Sequence, residues 1–382
     1  MSDFRNAKEL KQEIEKRVKG QDDAITAVAY AVSIHLKRIE KKRFKRIKKD
    51  NILLIGPTGC GKTETYRVLK ENELNLRVPV HMFAALSYAP TGSWQGNSVE
   101  NFLKKLWIET TSLARDIANL DLMPLPNVLD DYKDYIVNLM QKAIIVIDEV
   151  DKIADIGGET RTFSHDYQST LLQMVEGHKY QIPLKDGDQT TSVEIDTTNM
   201  LFIMMGAFDG LEKITAERIR EEQHQPIGFS TANSKAKSET VPSTDDIVKY
   251  GFLQELVGRM TLRAYYHALS VDELVRIMND CDNSAYHQFQ ERFHLWGHKL
   301  IIDKSGLTEI AKLALARKTG ARGLQNILTD LLYKTLFHLT PVKKSMLCIL
   351  TGNDIKNNHP PVIKINYESL NTRHKKQQQQ SH

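Results

Sequence analysis

Cysteine is scarce: three occur in 382 residues, Cys60, Cys281 and Cys348. They are far apart, and no C-x-x-C pair exists, which excludes a disulfide framework and a zinc ribbon and fits a reducing compartment. Long apolar runs are absent too. The longest, such as 200–205, fall far short of the roughly 20 residues that cross a bilayer. The first nineteen residues have no apolar centre, and Asp3, Glu9, Glu13 and Glu15 break any basic presequence, so no secretory or transit signal is expected. A cytoplasmic protein without membrane contact is the expectation. Charge of one sign is nearly missing: 52 Lys and Arg against 48 Asp and Glu leave a net +4, which does not by itself announce nucleic acid. A charged fraction of 26% and a hydrophobic fraction of 41% are ordinary for a folded chain. At roughly 150 residues per domain, two to three domains are expected.

Apolar residues recur at helical spacing over 5–40 (Leu10, Ile14, Val18, then Ile25, Val28, Val32, Leu36), which predicts helix. Nine of the thirteen residues in 37–49 are Lys or Arg. Such a run reads as a solvated connector, with an acidic or nucleic-acid partner as the alternative. Three continuous apolar runs, 51–55, 143–147 and 200–205, read as buried parallel strands. Helical patterns at 63–70, 99–110 and 167–176 separate them, which predicts a parallel α/β sheet. Pro124 and Pro126 mark a loop near 115–130, and 220–246 is a long polar break. Beyond Arg259 the chain reads as mostly helical, with stripes at Leu274, Ile277 and Met278 and at Ile310, Leu313 and Leu315. Boundaries follow: an N-terminal helical segment and basic connector at 1–50, a large domain at 51–263, a smaller domain at 264–365, and a disordered tail at 366–382.

The strongest motif is Gly56-Pro57-Thr58-Gly59-Cys60-Gly61-Lys62-Thr63. It matches G-x-x-x-x-G-K-[ST], a loop whose backbone N–H groups cradle phosphates. Lys62 brings a point charge to the β/γ-phosphates, Thr63 a hydroxyl to Mg²⁺, and the helix that follows points its positive end at the anion. Cys60 contributes backbone more than thiol. The run 143–147 ends in Asp148 and Glu149. Parallel strands deliver their C-terminal ends to one sheet edge, so Asp148 can hold Mg²⁺ through water and Glu149 can activate the attacking water. An acidic helix cap is the plainer alternative for this pair. A nucleotide with Mg²⁺, hydrolysed rather than merely bound, is the expectation from these two motifs. Arg259 and Arg322 lie far along the chain, and spacing alone leaves them as surface or salt-bridge arginines.

With these residues in view, the chain resembles the ClpX family of AAA+ unfoldases from about residue 10 to 350. The likeness is close at 18–24, 56–63, 99–101, 147–153, 206–211, 256–259 and 316–324. It implies an AAA+ P-loop NTPase sheet flanked by helices with a small C-terminal lid domain, and a homo-hexameric ring. It implies that Arg259 is a finger reaching a neighbouring subunit's ATP, that Arg322 is a sensor coupling the small domain to nucleotide, and that Gln21 lies beside the adenine. Trp94 and Gln95 fall where the family has its aromatic pore loop, and a large aromatic can wedge against an unfolded chain with little demand on sequence. Ile227, Gly228 and Phe229 match the tripeptide that docks on a ClpP-like peptidase, an apolar pair set in polar surroundings. Unfolded or tagged proteins are the implied substrates.

Departures from the pattern concern substrate selection. The cysteine count leaves no place for the family's zinc-binding N-terminal domain. The second pore-loop region at 157–167 is one residue short, and the basic loop of the pore entrance is not found in 177–194. Met205 stands where a polar residue is expected. A chaperone that remodels complexes without a peptidase is the main alternative, followed by a scaffold with a damaged ATP cycle.

Overall fold

The apolar run before the phosphate loop is a strand, β1 (Ile52–Ile55), buried along its whole length. The computed structural model describes residues 6–40, 47–87, 99–120, 129–155, 161–186, 189–224 and 241–366. The two other apolar runs are β3 (Ile144–Asp148) and β6 (Leu201–Gly206). Two strands the sequence did not announce join them: β2 (Val80–Ala84) and β7 (Leu262–Tyr265). The sheet order is β2-β3-β6-β1-β7, and every pairing in it is parallel. All five C-terminal ends therefore lie along one edge, where such sheets carry their ligands.

The chain forms two compact units. The first holds the chain up to Glu13, Asp23–Pro57 and Thr65–Tyr266. Helices α1 (Ala7–Glu15), α2 (Asp22–Glu40), α3 (Lys62–Glu71) and α4 (Glu73–Leu76) precede β2 in the chain. Helices α5 (Val99–Leu120) and α6 (Leu129–Met140) precede β3, and α7 (Arg161–Glu176) follows it. Next come an antiparallel hairpin, β4 (Lys179–Asp186) with β5 (Gln189–Asp196), then β6 and the helices α8 (Leu211–His224), α9 (Thr244–Lys249) and α10 (Gln254–Gly258). One face of the sheet packs into the main core with the helices: Leu53, Phe83, Ile145 and Phe202 of the strands are buried there with Phe102 and Phe208.

The second unit holds Ile14–Asp22, Thr58–Glu64 and the chain from His267. Its helices are α11 (Val271–Asp280), α12 (Ala285–Leu295), α13 (Lys304–Ala316), α14 (Ala321–Leu339) and α15 (Gly352–Lys356). Unexpectedly for a region read as mostly helical, it also contains a three-stranded sheet, β10 (Val362–Ile365), β9 (Met346–Leu350) and β8 (Lys299–Ile302). Leu274, Met278, Phe289, Phe293, Ile310, Ile327 and Leu328 form its core.

In four places the structure corrects or adds to the sequence expectations. The helix expected over 5–40 is two helices. Gly20 breaks it with φ +78°, and a Cβ there would lie 2.1 Å from Glu273 Oε1; only glycine takes that turn without cost. The loop placed near 115–130 begins later, because α5 keeps its apolar spacing through Leu113, Ala114 and Ile117 to Leu120. Most of 177–194, read only as a site of missing basic residues, lies in the β4–β5 hairpin, whose Ile182 and Val193 pair across strands. The basic run 37–49 is not wholly solvated. Arg38 is buried and donates to Asn199 O at 3.0 Å. Lys49 donates to Thr197 O at 3.4 Å, lies over the Phe202 ring, and is pushed by burial down to about 7.

Candidate functional site

The phosphate loop leaves β1 at the shared sheet edge. Gly56 N–H donates to Gly206 O at 3.3 Å, and a Cβ on Gly56 would lie 2.3 Å from Tyr266 O. The absence of a side chain thus lets the loop pass between the ends of β6 and β7. Further on, Gly59 and Gly61 have φ +78° and +111°. This left-handed backbone turns successive N–H groups to one side, the arrangement that binds phosphate oxygens. Within the second unit the loop is braced from behind. Gly59 O accepts from Ala321 N–H at 3.1 Å, and a Cβ on Gly59 would meet Thr319 O at 2.4 Å.

Lys62 opens α3, is buried, and has Cys60 Sγ 3.7 Å from its Nζ. Burial raises the Cys60 thiol, outweighing the nearby Lys62 charge, so the thiol stays protonated and unreactive. Thr63 follows in the first turn of α3, half-buried. Thr58 and Pro57 are exposed at the head of the loop.

On the same sheet edge, β3 ends at half-buried Asp148, whose Oδ1 accepts Glu149 N–H at 2.8 Å. Glu149 is exposed and takes left-handed backbone, φ 55° and ψ 35°. That conformation costs a non-glycine residue about 1 kcal/mol, and strain of this kind collects at functional positions. The short 3-10 turn Val150–Ile153 that follows buries Asp151, whose Oδ1 accepts Ala207 N–H at 3.2 Å. Met205 is fully buried in β6, in register with Leu54.

Arg259 caps α10 in the first unit. Its Nε and Nη2 both donate to Glu176 Oε1 at the end of α7, the first at 2.8 Å. Arg322 sits exposed in the first turn of α14, directly after the Gly320-Ala321 turn that braces Gly59. Gln21 is buried, and both ends of its amide engage the His267 backbone: Nε2 donates to His267 O at 2.9 Å and Oε1 accepts His267 N–H at 3.0 Å. Its side chain therefore clamps 14–22 to the start of the second unit's long segment. Trp94, Gln95, Ile227, Gly228 and Phe229 lie outside the described residues.

Sequence reasoning missed three buried or bridging polar residues. Buried Asn51 donates from Nδ2 to Arg259 O at 3.2 Å and accepts Phe202 N–H at Oδ1. Buried Gln168 in α7 donates to Ile153 O and Gly251 O and accepts Leu253 N–H at 2.6 Å. Glu176 holds Arg259. The only sequence signal was the lone polar Asn51 at the head of an apolar strand.

A glycine-rich phosphate loop after the central part of a parallel sheet, with two carboxylates after a strand of the same edge, defines a P-loop nucleoside triphosphatase. The AAA domain (Cdc48 subfamily) family model matches residues 47–263. The ATP-dependent Clp protease ATP-binding subunit ClpX of Treponema denticola is 32% identical over 380 residues, covering 94% of this chain and 83% of that one. The proteins of the same name from Borrelia duttonii and Borrelia recurrentis are each 32% identical over 372 residues, covering 93% of this chain and 80% of theirs. The chain belongs to the ClpX family of AAA+ ATPases. It is an ATP-binding ATPase, and no helix among the described residues is long and apolar enough to cross a membrane.

Proposed function

We propose that this ATPase is a protein unfoldase and translocase, working as a homo-hexameric ring that threads unfolded or tagged polypeptides through a central pore toward a ClpP-like peptidase. The observation that carries the reading is the bracing of the phosphate loop by the turn that starts α14. A loop that shifts with nucleotide takes the Arg322 turn with it, and so ties the ATP cycle to movement of the chain. The relatives' names add that those proteins serve ATP-dependent Clp proteases.

The roles follow from chemistry. Backbone N–H groups of 56–61 and the Lys62 ammonium bind the phosphates. The Thr63 hydroxyl and the Asp148 carboxylate are hard oxygen donors that suit Mg²⁺, which when bound neutralises charge on the phosphate oxygens. Glu149 accepts the proton of the attacking water. Arg259 from one subunit and Arg322 from the other stabilise developing negative charge. Trp94, with Gln95 beside it, pushes on the polypeptide, and Ile227, Gly228 and Phe229 dock on the peptidase.

Docking is tested by the Ile227→Ala/Phe229→Ala double variant mixed with a ClpP ring. ATP turnover stays at the parent level, while peptidase-dependent degradation of a model substrate falls at least about tenfold, the loss expected when a small interface loses its two apolar anchors. Undiminished degradation contradicts the docking role and favours the peptidase-independent chaperone.

A further inference from the structure

We propose that Glu176 is a positioning residue for Arg259, holding the guanidinium by one edge so that its other edge is presented to the neighbouring subunit's ATP. The inference rests on reading Arg259 as a trans-acting finger. Arginine is long and carries much rotamer freedom, which must be lost before it can meet a transition state. Here the residue is held at both ends. Its backbone O accepts from Asn51 Nδ2 at 3.2 Å, and Asn51 is buried and fixed to β6 through Phe202 N–H. Its side chain donates from Nε and Nη2 to the single oxygen Glu176 Oε1.

Guanidinium has five N–H donors in a planar fork. Using Nε–H and one Nη2–H on Glu176 leaves the end-on pair, one N–H on each Nη, in the geometry that matches phosphate. The pair is half open to solvent, Arg259 55% and Glu176 40% exposed, so as an isolated surface ion pair it adds little to stability. Its value lies in direction. The same helix ties this arrangement to the catalytic strand. Gln168, two turns before Glu176 in α7, donates to Ile153 O just after Glu149 and accepts Leu253 N–H at the start of α10. A shift of the chain after Glu149 is thereby passed along α7 and α10 to both ends of Arg259.

The test is steady-state ATP turnover of the full chain carrying Glu176→Ala, Glu176→Gln, Arg259→Ala, or Glu176→Ala with Arg259→Ala. Ring assembly is followed in parallel by sedimentation. Glu176→Ala is expected to lower kcat about tenfold, the scale of a misplaced catalytic group, with KM for ATP unchanged within about twofold. Glu176→Gln keeps an acceptor oxygen for Nε–H and is expected to recover part of the loss. In the Arg259→Ala background, measured by single turnover, Glu176→Ala is expected to cost nothing more. Parent-level or faster turnover in Glu176→Ala, or an equal loss in the Arg259→Ala background, overturns the proposal. If the alanine variant does not fold, parent-level kcat in the isosteric Glu176→Gln overturns it. Full turnover in Arg259→Ala itself overturns the finger reading on which the proposal stands, and so is distinguished from a failure of Glu176 alone.

Discussion

Alanine at Arg259 is expected to lower ATP turnover by about 1,000-fold or more, the scale of an arginine finger, with ATP still bound. Arg259 is exposed at the end of α10, and its loss leaves the phosphate loop and the Asp148–Glu149 turn untouched. The trans geometry has its own signature. Subunits carrying Arg259→Ala keep Glu149, and subunits carrying Glu149→Gln keep Arg259. Each preparation alone is expected to be inactive, while mixed rings regain turnover at interfaces that pair an intact Glu149 with an intact Arg259. Mixing without recovery, in rings shown to exchange subunits, places the arginine in its own chain's site.

The second large effect is at Glu149. Glutamine keeps the size and the backbone turn but removes the base, so turnover is expected to fall by about 100- to 10,000-fold, the range for a lost general base. Nucleotide affinity is expected to stay within a few-fold of the parent, because Lys62 and the glycine turns are unchanged. Equilibrium binding of a fluorescent ATP analogue, beside phosphate release, reads both. Retained turnover would return the Asp148–Glu149 pair to the plainer role of an acidic cap.

What could be read in the sequence is what is local. The strands β1, β3 and β6 are continuous apolar runs buried on both faces, and the phosphate loop is a contiguous motif whose glycines have the turns its chemistry requires. The other two strands of the sheet hide. The strand β2 contains His81, and β7 contains Arg263 and has only four residues, so neither has the pattern of a buried strand. In β4, Tyr180, Ile182 and Leu184 alternate, but Pro183 between them argues against a strand, and the residue sits exposed in the hairpin with β5. The polar residues that join the site's parts are invisible for a different reason. Asn51 reaches Arg259 across 208 positions, and Gln168 reaches Leu253 across 85. An amide that bonds to backbone leaves no mark on its partner's side chain. Gln21 is a third case: both ends of its amide bond to the His267 backbone, 246 positions away.

The most direct test of the account is ATP turnover by the purified chain with and without a saturating unfolded polypeptide, repeated with Trp94→Ala. Turnover is expected to rise several-fold with polypeptide in the parent, and to stay at the basal level in the variant. ATP bound but not hydrolysed, or hydrolysis indifferent to polypeptide in both proteins, would contradict a polypeptide-driven motor.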